Sequence, residues 1–215
     1  MSNLIGSHIK AVFFDHDDTL VGTIKPKWEL HKFVAKTYYD LDLTDEDIIK
    51  HWGKPLRELV CILYGTDNAE EALANNTLHH ENYQKILFKE TISTLKHLHS
   101  MGFVLGIITA TSRFSFEHDL AFHGIPKEII DYTQTEDDTP FHKPDKRVFA
   151  PAIAWLEDRS IKPNQVLYVG DGLHDMVAAT GAGFSFLGVE TGLVTAEEFR
   201  SAKVSSIPSI ENLLD

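Results

Sequence analysis

Three short apolar runs along the chain end abruptly in polar residues. They cover residues 9–14, 103–108 and 165–169. Near-continuous runs of about five residues, rich in β-branched and aromatic side chains, are typical of strands that are buried on both faces of a parallel sheet. Residues 184–189 form a fourth run of this kind, and residues 129–133 form a weaker fifth. The pattern therefore predicts a parallel sheet of at least four strands.

Between these runs, the apolar residues recur at helical spacing. Two stripes of this kind are 149–156 after Pro144 and 92–98 before Gly102, and residues 175–180 also have a helical pattern that ends at Gly181 or Gly183. Proline near the start and glycine just beyond the end are common at helix boundaries. Strands that alternate with helices predict right-handed βαβ units and a doubly wound, Rossmann-like α/β domain.

The interval 22–87 interrupts this alternation and carries only helical stripes. One stripe covers 30–38 and another covers 48–63. Thr44 and Asp47 form a capping-box pattern before the second stripe, and its interruption at Gly53 and Pro55 predicts two helices. We therefore predict a small all-helical domain over residues 22–87, inserted into an α/β core that is formed by residues 1–21 and 88–215.

Composition limits the possible partners. Hydrophobic residues make up 43% of the chain and charged residues 24%, as in ordinary globular proteins. The chain contains no apolar run of the roughly 18 residues that a membrane span needs, and residues 1–10 lack the features of a signal peptide. Its one cysteine, Cys61, fits a reducing compartment, so we expect a cytoplasmic location. The formal charge of −12 argues against nucleic-acid binding and means that a phosphate ligand needs local positive charge or a bound cation.

Polar residues that suit phosphate chemistry follow the strand-like runs. Ligand sites in open α/β sheets lie beyond the carboxyl ends of the strands. Four carboxylates and one ammonium are expected to meet there, namely Asp15, Asp17, Asp171, Asp175 and Lys143, with Thr109 beside them. Clustered carboxylates repel each other, and a hard divalent cation such as Mg²⁺ neutralises them. A carboxylate beside a metal-bound phosphate points to covalent catalysis through an aspartyl phosphate.

Four motifs in this order resemble the haloacid dehalogenase superfamily of phosphotransferases. The first is an apolar strand followed by Asp-x-Asp-x-Thr, and the second is a Thr that closes the next strand. A Lys before a helix and a Gly-Asp-x-x-x-Asp sequence are the third and fourth. The matching residues here are Asp15, Asp17 and Thr19, then Thr109, then Lys143, and then Gly170, Asp171 and Asp175. The helical insertion after the first motif is similar to the type-1 cap of that superfamily.

The resemblance implies a role for each matching residue. Asp15 would attack phosphorus, and Asp17 would act as the general acid and base. Thr109 and Lys143 would bind the phosphoryl oxygens. Mg²⁺ would be held by Asp15, the backbone carbonyl of Asp17 and Asp171, and Asp175 would bind it through a water or orient the other ligands. The dehalogenases that name the superfamily lack an acid at the position of Asp17, so its presence favours a phosphatase over a dehalogenase.

Other interpretations of some of these residues stay open at this stage. Asp175 also fits a helix N-cap, and Lys143 also fits a surface lysine. Ala110 and His16, which adjoin Thr109 and Asp15, are candidate substrate contacts, although alanine lacks the side-chain group that the superfamily often has there, and His16 also fits a role in directing the backbone. In the helical insertion, Lys54 and Arg57 are candidate substrate contacts, and an ordinary helix–helix corner explains them equally well.

The leading functional hypothesis is hydrolysis of a small-molecule phosphomonoester. A sugar phosphomutase would use the same Asp15 but return the phosphoryl group to a second hydroxyl. A non-enzymatic receiver module also carries a phosphorylatable Asp, but receivers are about half as long and lack a helical insertion after the first strand. The sequence leaves the identity of the phosphorylated metabolite and the oligomeric state open.

Overall fold

A six-stranded parallel sheet organises the α/β part of the chain. The computed structural model describes residues 4–214. The strands are β1 (Ala11–Phe14), β2 (Val21–Gly22), β3 (Ile86–Leu87), β4 (Val104–Ile108), β5 (Tyr132–Gln134), β6 (Val166–Gly170), β7 (Ser185–Val189) and β8 (Ser206–Ile207). The strands β2 and β3 pair with each other in a separate two-stranded sheet, and the other six strands form the main sheet. The sheet order is β5-β4-β1-β6-β7-β8, and every neighbouring pair is parallel. The strands β4, β1 and β6, which precede the residues with candidate chemistry, are therefore adjacent at the centre.

Helices follow most of these strands. They are α1 (Ile24–Tyr39), α2 (Asp45–Ile49), α3 (Leu56–Tyr64), α4 (Ala69–His79), α5 (Thr91–Ser100), α6 (Arg113–His123), α7 (Ala150–Glu157), α8 (Leu173–Gly181) and α9 (Ala196–Ser201). Short 3₁₀ segments, including Lys146–Phe149 ahead of α7, complete the connections. Over residues 4–214, none of the helices has both the length and the apolar character needed to cross a membrane.

The central strands bury both of their faces. Val12 and Phe14 belong to one apolar cluster together with side chains of α5 and α6. Ala11 and Phe13 belong to another cluster, which includes side chains of α7 and α8. Successive residues of a strand point to opposite faces, so an unbroken apolar run can supply both clusters. The predicted fold class, a doubly wound α/β core with helices on both faces of a parallel sheet, is confirmed.

The helices α1 to α4 form a compact unit of their own. This unit covers Thr23–Ile86, and the chain up to Gly22 and from Leu87 onward forms the other unit. Its apolar cluster includes Val34 of α1, Val60 of α3 and Ala72 of α4. Thr44 and Asp47 make the predicted capping box at the start of α2, and the predicted interruption lies between Ile49 and Leu56.

The weakest strand prediction needs a correction. Residues 129–133 were expected to form a strand, but the strand covers Tyr132–Gln134 and is preceded by a 3₁₀ turn at Lys127–Ile129. Ile129 and Ile130 are apolar because they pack against the core cluster on the α5 and α6 side of the sheet. Apolar packing from a turn gives the same sequence pattern as a short strand.

Candidate active site

Three neighbouring strands place polar residues at one edge of the sheet. Asp15 follows β1, Thr109 follows β4 and Asp171 follows β6. The parallel register aligns Phe14 with Ile107 and with Val169, so Thr109 and Asp171 lie one residue beyond the level of Asp15 at the same edge. Lys143 reaches this edge from the segment ahead of α7. The expected convergence of the four sequence motifs is therefore present in the structure.

The ammonium group of Lys143 is at the centre of the site. Its Nζ donates to Asp15 Oδ1 at 2.6 Å and to the carbonyl oxygen of Ile108 at 3.1 Å, and it lies 2.7 Å from Asp175 Oδ1. Only 5% of the lysine side chain is exposed, which rules out an ordinary surface lysine. Burial disfavours its charged form, but Asp15 and Asp175 outweigh this effect and raise the pKa of Lys143 well above its usual range.

Three carboxylates crowd around this one cation. Oxygen atoms of Asp15, Asp171 and Asp175 lie within 4.8 Å of one another. Burial raises the pKa of Asp15; Lys143 opposes the shift, whereas Asp175 and Asp17 increase it. Burial, with Asp175 and Asp15, raises the pKa of Asp171 well above its usual range. The single ammonium of Lys143 thus leaves the three carboxylates only partly neutralised, and their hard oxygen donors fit a divalent cation such as Mg²⁺.

Asp175 combines a structural role with its place in the carboxylate cluster. Its Oδ2 accepts the backbone N–H of Gly172 at 3.1 Å, which caps the start of α8. Its Oδ1 faces Lys143, and the side chain is fully buried. A side chain added at Gly170 would place its Cβ 2.8 Å from the Asp175 carboxyl carbon, so glycine leaves room for this carboxylate. The sequence alternative of Asp175 as the N-cap of this helix is corrected: the N-cap is Gly172, and Asp175, the third residue of α8, caps the helix from inside while it also faces Lys143.

The carboxylate of Asp17 is hydrogen-bonded to the loop that follows β4. Thr111 Oγ1 donates to Asp17 Oδ2 at 2.5 Å, and Thr109 Oγ1 lies 3.5 Å from the same oxygen. The sequence interpretation missed Thr111, because the family motif ends at Thr109. A second hydroxyl residue two positions after Thr109, on the same loop, was the available signal.

His16 is placed differently from the prediction. Its side chain is fully buried, and Nε2 lies 3.1 Å from Asp119 Oδ2 of α6. Its ring also packs edge-on against Phe116, with the ring centroids 5.1 Å apart. Because the side chain has no exposed surface, His16 as a substrate contact is corrected to a buried packing residue. Ala110, by contrast, is exposed directly after Thr109.

The two cations predicted to contact substrate from the helical unit both have acidic partners within that unit. Lys54 pairs with Glu58 one helical turn away, and Arg57 pairs with Glu70 of α4 at 2.7 Å. Both cationic side chains are exposed, at 39% and 60%. These pairs fit the interpretation of this segment as a helix–helix corner, and contact of Lys54 or Arg57 with substrate stays a prediction.

Comparison with known proteins places the fold and its motifs in one family. The family model for haloacid dehalogenase-like hydrolases matches residues 12–189. A candidate pyrophosphatase PpaX of Clostridium perfringens is 32% identical over 85% of this chain and 84% of its own. The pyrophosphatase PpaX of Anoxybacillus flavithermus is 29% identical over 94% of this chain and 97% of its own.

A solved structure agrees with these matches. The crystal structure of a candidate haloacid dehalogenase-like hydrolase from Bacteroides fragilis has a TM-score of 0.78 and 30% sequence identity. The alignment covers 95% of this chain and 99% of the Bacteroides chain. The resemblance drawn from the four motifs is confirmed, as is the enzyme class that it implied. The chain belongs to the haloacid dehalogenase-like hydrolases and is a phosphatase-type enzyme of that family.

Proposed function

We propose that this chain hydrolyses a small-molecule phosphomonoester with the help of Mg²⁺, through an aspartyl phosphate on Asp15. One observation carries the proposal: the Lys143 ammonium contacts both Asp15 and Asp175 in a buried cluster with Asp171. A nucleophilic carboxylate, a fixed cation and a set of hard oxygen donors are the parts that phosphoryl transfer needs.

The first step moves the phosphoryl group to the protein. An Asp15 carboxylate oxygen forms a bond to phosphorus while the ester P–O bond breaks. Asp17 gives its proton to the departing oxygen, which leaves as an alcohol. Lys143 and Thr109 bind the phosphoryl oxygens, and the contact of 2.6 Å between Lys143 and Asp15 keeps the cation beside the bond that forms.

The second step restores the enzyme. A water oxygen forms a bond to phosphorus, and the carboxylate of Asp17 takes up a proton from that water. The bond between phosphorus and Asp15 breaks, so inorganic phosphate leaves and the carboxylate of Asp15 is regenerated. Asp17 is then protonated again and ready for the next substrate.

A divalent metal suits the cluster of Asp15, Asp171 and Asp175, and the backbone carbonyl of Asp17 is the further ligand that we assign. When bound, Mg²⁺ offsets the negative charge of the carboxylates and of the substrate phosphate, and it helps to align the two. The neutralising charge is needed here because Lys143 forms ion pairs with Asp15 and Asp175 but carries one positive charge against three carboxylates.

The substrate is proposed to be a small phosphorylated molecule. The related proteins named pyrophosphatase PpaX make inorganic pyrophosphate a specific candidate, in which phosphate takes the place of the alcohol as the leaving group. The helical unit, Thr23–Ile86, is proposed to serve as the cap that selects the substrate. A phosphomutase would differ in releasing little phosphate and in needing a sugar bisphosphate as activator.

The test is phosphate release from p-nitrophenyl phosphate and from a panel that includes pyrophosphate. We expect turnover with Mg²⁺ and none after EDTA treatment. Asp15→Asn should lower kcat at least about 1,000-fold with the fold intact, since it removes the nucleophile. Asp42→Asn is the matched control, because Asp42 belongs to an exposed Asp-x-Asp sequence in the helical unit. Turnover that survives EDTA, or an Asp15→Asn enzyme with a tenth of the normal rate, would contradict the proposal.

A further inference from the structure

Thr111 is the closest described partner of the proposed acid and base. It lies in the loop between β4 and α6, and its hydroxyl is 2.5 Å from Asp17 Oδ2. This loop is held in place on both sides of the residue. The N–H of Thr111 donates to Thr109 Oγ1 at 3.0 Å, and the carbonyl of Thr111 accepts the N–H of Glu136 at 3.2 Å. The Thr111 hydroxyl is therefore presented to Asp17 from an anchored backbone.

The two threonines of this loop have different tasks in the proposed reaction. A hydroxyl group has a single hydrogen to donate. If Thr109 donates its hydrogen to a phosphoryl oxygen, it has none left for Asp17, and its separation from Asp17 is already 3.5 Å. Thr111 has the shorter contact, so its hydrogen bond to Asp17 remains when substrate occupies the site.

A hydroxyl is well suited to an acid–base partner. It donates to a carboxylate and accepts from a carboxylic acid, whereas lysine, arginine and backbone N–H groups only donate. Asp17 passes through both forms in each cycle of the proposed reaction. A contact with Thr111 survives this change without any movement of the loop.

We propose that Thr111 is the positioning residue for Asp17 and holds its carboxyl group in the orientation that delivers the proton to the leaving oxygen. The inference rests on the proposed function, since it presupposes that Asp17 is the acid. It assigns no contact between Thr111 and the phosphoryl group.

Two aryl phosphates of similar shape provide the test. p-Nitrophenolate leaves readily without a proton, whereas phenolate is more basic and needs the acid. We expect Thr111→Val to lower kcat/KM between about 10- and 100-fold for phenyl phosphate and much less for p-nitrophenyl phosphate. Thr111→Ser, which keeps the hydroxyl, should restore most of the rate with phenyl phosphate.

Two further variants separate the possible outcomes. Asp17→Asn should show the same selectivity between the substrates, but more strongly. Thr77→Val, which removes an exposed hydroxyl of α4, should change neither rate. If Asp17→Asn is selective and Thr111→Val is not, the positioning role is wrong and the proposed function stands. If Asp17→Asn itself lacks selectivity, the acid role assigned to Asp17 is wrong, and the role of Thr111 is wrong with it.

Discussion

Glycine at position 192 leaves space that the Asp171 carboxylate occupies. A Cβ built on Gly192 would overlap Asp171 Oδ2 and would lie 2.8 Å from Asp171 Cβ. The loop has little freedom to retreat, because the neighbouring Thr191 donates its hydroxyl to the backbone carbonyl of Asp18 at 2.5 Å. A methyl group would therefore displace the carboxylate rather than the loop.

We expect Gly192→Ala to weaken Mg²⁺ binding by at least about 10-fold, because Asp171 would no longer point into the cluster with Asp15 and Asp175. Isothermal titration of the protein with MgCl₂ measures this affinity. Gly181→Ala is the control, since a Cβ there would meet Lys146 Cβ at 3.2 Å and no atom of the cluster. Equal Mg²⁺ affinity in Gly192→Ala and wild type would show that Asp171 is not a ligand.

Among the residues that the motifs identified, Asp15, Thr109 and Asp171 each follow a strand directly. Asp15 and Asp171 could be placed from sequence because the ends of adjacent parallel strands meet at one edge. His16 was misplaced because successive residues at a strand end point in opposite directions, and its side chain turns toward Asp119. Thr111 had a local signal in its position two residues after Thr109, but its contact with Asp17, like that of Gly192 with Asp171, joins residues that are far apart in the sequence.

At the scale of elements, helices with a clear apolar stripe were predicted and those without one were not. The α6 helix buries Phe116 and Leu120 but exposes Phe114 and Phe122, so its apolar residues are spread around the axis. The α4 helix buries little more than Ala72 and Asn76. Neither segment shows the spacing typical of an amphipathic helix. The two-residue strands β2, β3 and β8 are too short to give any periodicity.

A polar contact joins three helices inside the helical unit. The Tyr64 hydroxyl of α3 lies 2.8 Å from Nδ1 of His31 on α1 and accepts a hydrogen bond from Asn76 of α4 at 2.5 Å. His31 is only 3% exposed, and Trp52 packs edge-on against its ring. Burial, with a smaller effect of the Lys27 charge, lowers the pKa of His31 to about 4.

This histidine should make the stability of the helical unit depend on pH. Because the pKa of His31 falls from 6.5 in the unfolded chain to about 4 in the folded one, the unfolded chain binds the extra proton between these values. The contribution of neutral His31 to the free energy of unfolding is therefore fully present above pH 6.5. It is lost as pH falls toward 4, by roughly 3 kcal/mol in total.

Urea unfolding is followed by tryptophan fluorescence in a Trp155→Phe background, because Trp28 and Trp52 lie in this unit with ring centroids 5.8 Å apart, whereas the third tryptophan, Trp155, lies on α7. His31→Gln has no titrating ring and should lose less stability than wild type over the same pH range. An identical pH dependence in the two proteins would mean that the folded state accommodates the charged imidazole.

At the scale of the whole molecule, a protein with a net negative charge has to bind a negatively charged phosphate. The chain has a formal charge of −12, and three of its 32 Asp and Glu residues crowd together in the site. The raised pKa of Asp171 shows that its charged form is unfavourable in the folded protein, mainly through burial and then through Asp175 and Asp15. The charged carboxylates therefore lower the free energy of unfolding when no divalent cation is bound, and a bound cation raises it again.

The repulsion between these carboxylates predicts that one substitution, Asp171→Asn, has opposite effects on thermal stability relative to wild type with and without metal. Asp171→Asn keeps the shape of the side chain but removes its charge. In EDTA, we expect the variant to unfold at a higher temperature than wild type, because repulsion in the cluster is relieved. With Mg²⁺ at about 100 times its dissociation constant, wild type should gain about 2.7 kcal/mol, whereas the variant should gain much less, because it has lost a ligand.

Thermal unfolding in EDTA and in MgCl₂ measures both effects, and a gain of that size corresponds to a shift of about 5–10 °C for a chain of this length. Asp42→Asn changes the net charge equally but lies outside the cluster, so its response to Mg²⁺ should match that of wild type. An Asp171→Asn protein with the full Mg²⁺ shift would place the cation elsewhere. One that is less stable than wild type in EDTA would show that the carboxylate is held by attraction to Lys143 rather than strained by its acidic neighbours.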